Sequence, residues 1–250
     1  MMSRFILSNE IFKLGLDCQE MSVNAYLCSL PTNQYTVTGE SIVRVKQSTI
    51  ARKCGIKAVQ TVSKIISRLA VKGIVNPLGR SVKANRHKGT YRYAVKQFSL
   101  NNGYFFVDRY VFGKLVPRQI MIYLFICKSF SMKLMDSWNS YNDISQQTGM
   151  KRETVIQTIN ELTALKFIVR IRRKSRDNKH VFVDNHYQII FYVRGTFKGK
   201  KIVRLHSQYS RTIGNHIGKP RKLHYNNSTV LNKCQEIFLK NFLCRGSPQN

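Results

Sequence analysis

The chain has 250 residues and a mass of 29.0 kDa, and its 42 Lys+Arg against 12 Asp+Glu give a formal charge of +30. Hydrophobic residues at 43% and aromatics at 11% are enough for packed cores and exclude a wholly disordered basic protein. Self-repulsion of this size calls for a strongly anionic partner, nucleic acid first and a bilayer surface second.

The opening reaches a polar Ser8-Asn9-Glu10 after only three apolar residues, Phe5-Ile6-Leu7, which excludes a signal peptide. The longest apolar run, Ile120 to Cys127, falls far short of the ~18 residues of a membrane span. A soluble chain is expected, cytoplasmic and associated with nucleoid or plasmid, with no membrane partner.

Asp17-Cys18-Gln19-Glu20 is a D-x-x-E cap before an apolar run, so a helix starts there. A short strand, Ser41 to Val45, follows, and Ser48 is the predicted cap of the next helix. A short helix then ends at Gly55, where positive φ costs no strain. The longer helix after it carries Val59, Val62, Ile66 and Leu69 on its predicted core face. Ile74-Val75 and Tyr91-Arg92-Tyr93 form a two-stranded ribbon whose aromatics read as cross-strand core.

The same order then recurs. Pro117 stands where a first-turn proline belongs. Ala25-Tyr26-Leu27 is echoed by Ile122-Tyr123-Leu124, and a second short helix ends at Gly149. The second long helix carries Val155, Ile159, Leu162 and Leu165, and Phe167–Ile171 with Val181–Val183, including Phe182, forms a second ribbon. A 94-residue offset relates Ile50 to Ile144, Gly55 to Gly149, Ile74 to Ile168 and Tyr93 to Tyr187; within the long helix the apolar positions shift by one. This is a duplicated domain. Tyr123, Phe125 and Trp138 read as core before they read as interface anchors.

Helix, strand, helix-turn-helix and hairpin is the order of a winged helix. The predicted fold class is α+β, mostly helical, with tandem winged helix-turn-helix domains at 1–99 and 100–195 and a basic extension at 196–250. A helix-turn-helix places its second helix in the major groove. Removing the core positions leaves Lys57, Gln60, Ser63, Lys64 and Ser67 outward in the first unit, and Lys151, Arg152, Thr154, Gln157 and Thr158 in the second. Arg reads guanine, Gln reads adenine, and Ser or Thr reads either. Arg86 and Lys88 in one hairpin, and Arg172, Arg173, Lys174, Arg176 and Lys179 in the other, suit phosphates or a minor groove. Such residues also make an ordinary solvated face, but two copies keep the same acid-poor pattern.

The charge divides into +12 for residues 1–99, +8 for 100–195 and +10 for 196–250. From 195 to 222 there is no acidic residue, and Gly195, Gly199, Gly214 and Gly218 interrupt any helix. This reads as a flexible arm adding sequence-independent phosphate affinity. A short amphipathic helix, Ser228 to about Leu243, is predicted after it.

The six cysteines contain no C-x-x-C pair and read as reduced core residues. His206, His216, His224, Cys234 and Cys244 are too widely spaced for a structural zinc site. No phosphate loop of the G-x-x-x-x-G-K-[ST] type and no His-x-His pair occurs, and carboxylates are not clustered for metal. No enzyme, cofactor or metal is expected.

From Arg4-Phe5-Ile6-Leu7-Ser8-Asn9-Glu10-Ile11-Phe12-Lys13-Leu14-Gly15-Leu16 through Lys72-Gly73-Ile74-Val75, the chain resembles winged helix-turn-helix proteins of Gram-positive plasmids, phages and integrative elements. These include the N-terminal domains of plasmid replication initiators. The resemblance implies winged-helix DNA binding on a mobile element, at a replication origin or an operator. The leading expectation is a sequence-specific double-stranded DNA-binding protein of such an element or its host, acting in replication initiation or transcription regulation. A homodimer, or a partner protein of replication or transcription, fits either role. The alternative is an adaptor whose one winged helix and tail helix bind a partner protein or mediate dimerisation.

Overall fold

A computed structural model describes residues 4–82, 88–131, 134, 136–174, 182–197 and 200–206. Helices and small antiparallel sheets alternate in an α+β arrangement, and one order of elements is used twice. The first repeat runs β1 (Arg4–Ser8), a 3-10 turn (Asn9–Lys13), α1 (Cys18–Cys28), β2 (Ser41–Val45), α2 (Gln47–Lys53), α3 (Val59–Val71), β3 (Val75–Val82) and β4 (Lys88–Val95). The second runs β5 (Tyr104–Asp108), a 3-10 turn (Arg109–Val111), α4 (Pro117–Lys128), β6 (Ser137–Trp138), α5 (Tyr141–Thr148), α6 (Arg152–Ala164), β7 (Ile168–Lys174) and β8 (Phe182–Ile189). A ribbon of β9 (Phe191–Phe197) and β10 (Lys200–His206) follows. The start of the predicted flexible arm is therefore β structure, with Gly195 inside β9. The predicted helix at 228–243 lies outside the described residues.

Local chemistry explains most of the starts and stops. Asp17 and Glu20 close a reciprocal capping box at α1, at 2.8 and 3.0 Å. Pro117 is the first residue of α4, where its missing N–H costs nothing. Gly55 and Gly149 take φ of 65° and 68° after the short helices. Ser48 does not cap α2: the chain passes from β2 straight into the helix, Lys46 is the cap residue, and no side chain accepts there.

β1 pairs with β5, joining the two repeats. Arg4 opposes Asp108, Ile6 opposes Phe106 and Ser8 opposes Tyr104. Each strand thus meets the counterpart of itself in reversed order, as a local twofold axis through Ile6 and Phe106 requires. Behind this ribbon the equivalent helices α1 and α4 pack on each other. Residues Glu20–Leu27 of α1 and Gln119–Cys127 of α4 are all buried. Burying each of Ile120, Ile122, Leu124 and Ile126 contributes about 1.5–3 kcal/mol. One hydrophobic core runs through both repeats, from Phe5 to Ile189.

In each repeat the second strand joins the later ribbon: the sheet orders are β2-β4-β3 and β6-β8-β7. Tyr93 and Tyr187 are both fully buried at matching places, Tyr123 and Phe125 lie in the core, and Tyr91 stacks on Tyr93. Trp138, predicted as core, is 63% exposed, because β6 is a two-residue edge strand and Trp138 follows the inward-facing Ser137.

The buried stripe of α3 is Val62, Ile65, Ile66 and Leu69; that of α6 is Val155, Thr158, Ile159 and Leu162. The offset through these helices is therefore 93, which places Ile74 opposite Phe167 rather than Ile168. Val59 and Leu165, predicted as core, are exposed because they begin α3 and cap α6. Both helices end alike: Gly73 N–H donates to Ala70 and Ile74 N–H to Leu69, as Lys166 does to Thr163 and Phe167 to Leu162. Lys166 takes φ of 59° where the first repeat has Gly73 at 65°.

Cys54 and Cys127 are free and buried. Burial pushes the Cys54 thiol up to about 12, so it stays protonated.

Candidate nucleic-acid interface

On α3 and just before it, Lys57, Gln60, Ser63, Lys64 and Ser67 are all exposed, as the helical period predicts. Ser63 Oγ donates to Gln47 Oε1 at 2.9 Å, and Ser67 Oγ donates to the Ser63 carbonyl at 3.1 Å. Among the described residues, the side chains of Lys57, Gln60 and Lys64 have neither a hydrogen bond nor an ion pair. Lys46 and Arg52 are exposed on the preceding segment, so the face is cationic and adaptable.

The α6 face differs. Lys151, Arg152 and Gln157 are exposed and Thr154 is half-buried, but Thr158 is wholly buried. Its hydroxyl donates to the Thr154 carbonyl at 2.7 Å, which satisfies it inside its own helix. Thr158 occupies the place of Ile65 and is core. Gln157 Nε2 donates to Glu161 Oε1 at 3.1 Å, and the Glu161 carboxylate also accepts from Arg118 Nη2 and, at 2.7 Å, Gln119 Nε2 of α4. Gln157 is thus tied to α4 through an acid.

The first repeat anchors its long helix at the same place with opposite charge. Glu20 of α1, 3% exposed, receives Arg68 Nε at 3.2 Å and Lys72 Nζ at 2.7 Å from α3 and its end, while Arg68 Nη2 reaches Asp17 at 3.0 Å. Arg68 and Glu161 are equivalent, as are Glu20 and Gln119. The turn between α2 and α3 is further locked against the second repeat. Gly113 N–H donates to the Lys53 carbonyl at 2.6 Å, and a Cβ on Gly55 would lie 3.1 Å from Val116 Cα and 3.2 Å from the Leu115 oxygen. Gly149 faces open space.

Lys88 lies in β4, and Arg172, Arg173 and Lys174 lie in β7, with side chains outside the described part; Arg86, Arg176 and Lys179 are outside the described residues altogether. Sequence reasoning missed Tyr141 and Arg170. Tyr141 is the first residue of α5, and Arg170 Nη1 donates to its hydroxyl at 2.8 Å. The 94-residue offset from Gln47 marked Tyr141, but Arg170 looked like an ordinary strand residue. Among the described residues no three His, Cys, Asp or Glu side chains gather as a metal site, and no helix is long and apolar enough to cross a membrane.

No family model matches the chain, and no curated protein matches it. Among solved structures it is similar to one described as the crystal structure of Pi initiator protein in complex with iteron DNA. The identity is 9% over 76% of this chain and 97% of that one, with a TM-score of 0.45.

Proposed function

We propose that the two repeats, residues 1–99 and 100–195, are winged helix-turn-helix domains and that the chain is a sequence-specific double-stranded DNA-binding protein. Its setting is replication initiation or transcription regulation on a mobile element or its host. The observation that carries this is the repeated exposure, at one place in each repeat, of cations and an amide on a helix held from behind by a buried partner. Gln60 with Lys64, and Lys151 with Gln157, supply the side-chain types that read base edges. The ribbons and the segment 196–250 add phosphate grip through their Lys and Arg. The role is binding, with no catalytic step and no cofactor.

One chain would set its two reading helices in major-groove segments about one helical turn apart, ~34 Å. Footprinting on sequences selected from a random pool is expected to show two protected segments on one face of the duplex. Affinity for selected over random DNA, compared at one salt concentration, is the deciding number; a ratio near one overturns sequence-specific reading.

A further inference from the structure

We propose that Tyr141, Arg152 and Arg170 form a notch on the second repeat that takes one phosphate of the DNA backbone. The proposal rests on the DNA-binding reading above and names a contact within it.

Arg170 sits in β7 opposite Tyr187, which is fully buried, so its side chain leaves from the core side of the sheet. It is half-buried, and its hydrogen bond goes to the Tyr141 hydroxyl. Arg152, the first residue of α6, places its guanidinium carbon 5.8 Å from the Tyr141 ring centroid. Two guanidinium groups therefore gather on one tyrosine. Among the described residues neither has a carboxylate within ion-pair distance. Asp143 spends an oxygen on the Ser140 N–H at 3.0 Å, and Glu153 projects about 100° round the helix from Arg152.

A half-buried cation whose partner among the described residues is a phenol lacks a counter-charge there, and a ring face supplies only about 0.5–1 kcal/mol to an exposed cation. An anion with several acceptors completes the site, and the guanidinium fork matches phosphate. The notch also stands at the right place. It joins the first residues of the helix that crosses the backbone and of the helix that enters the groove in helix-turn-helix geometry. The first repeat has Gln47, Val59 and Pro77 at the three positions and so has no counterpart.

The test is a salt series of DNA affinity with the full chain, using a random-sequence duplex and a selected one. Arg170→Gln is expected to flatten the slope of log K against log salt by about 0.9, the value of one phosphate contact. It should weaken both duplexes by the same factor, roughly tenfold, as the loss of a charge-assisted hydrogen bond does. Arg170→Lys, which keeps the charge but not the fork, should lose affinity and keep the slope. Tyr141→Phe removes only the hydroxyl and covers the case in which Arg170 variants melt; its loss should again be equal on both duplexes. An unchanged slope in Arg170→Gln, or a loss confined to the selected duplex, overturns the notch. If the wild-type chain binds both duplexes equally, sequence-specific reading fails while the slope still decides the notch. If it binds neither, both fall.

Discussion

In the first repeat a carboxylate on α1 holds two cations of α3 and its end; in the second, a cation and an amide on α4 hold a carboxylate of α6. The contact is the same and its polarity is inverted. The difference bears on pairing as much as on stability. α1 against α6 would set Glu20 beside Glu161, and α4 against α3 would set Arg118 beside Arg68. Like charges at a close contact disfavour the wrong partner, so the inversion weighs against pairing the central helix of one repeat with the long helix of the other. It also leaves the exposed faces unequal: among the described residues the Lys64 side chain of α3 has no partner, whereas Gln157 of α6 is held through Glu161.

The turns give the largest expected effect. Gly55→Ala meets both a left-handed backbone and the backbone of residues 115 and 116, and should cost roughly 2–5 kcal/mol. Gly149→Ala meets only the left-handed backbone, about 1–2 kcal/mol. Thermal melting of the pair reads the difference; equal shifts would remove the asymmetry between the turns.

The latches come next. Glu20→Gln should cost about 2 kcal/mol, because a buried acid loses two cationic partners that can themselves rehydrate. Glu161→Gln, at a more exposed pair, should cost about 1 kcal/mol or less. Denaturant midpoints in the reverse order would break the comparison. Smaller still, Lys166→Gly restores to the second repeat the residue that Gly73 gives the first, and should stabilise by about 0.5–1 kcal/mol. Thr158→Val should leave stability within about 1 kcal/mol and DNA affinity unchanged. A fall in affinity without a fall in melting temperature would return Thr158 to the interface.

What was legible in the chain was local. Asp17 with Glu20, Pro117 and the two turn glycines act within a few residues of themselves, and all stand where their chemistry put them. Thr158 misled because a threonine on a helix reads as polar until its hydroxyl is seen to bond its own backbone. Ser48 misled because the helix starts right after β2, so that Lys46 takes the cap position and Ser48 already lies inside the first turn. Trp138 misled because size alone suggests burial, whereas an edge strand of two residues has room for one inward side chain. The pairing of Arg4–Ser8 with Tyr104–Asp108 was invisible to any local rule, since strand register is decided by partners far along the chain. The signal existed as a likeness between the two segments at an offset of 100, apart from the 94 of the later elements. Arg170 was missed because its role depends on the tyrosine across the fold.

The β1–β5 ribbon has a consequence for synthesis. A chain emerging N-terminus first presents Phe5 and Leu7, which are buried only when β1 meets β5, long before residues 104–108 exist. At ~5–20 residues per second the strand waits roughly 5–20 s for its partner. Closing so large a loop also slows the final step. The first repeat therefore matures only when the second begins, and its opening strand is an exposed edge in the interval.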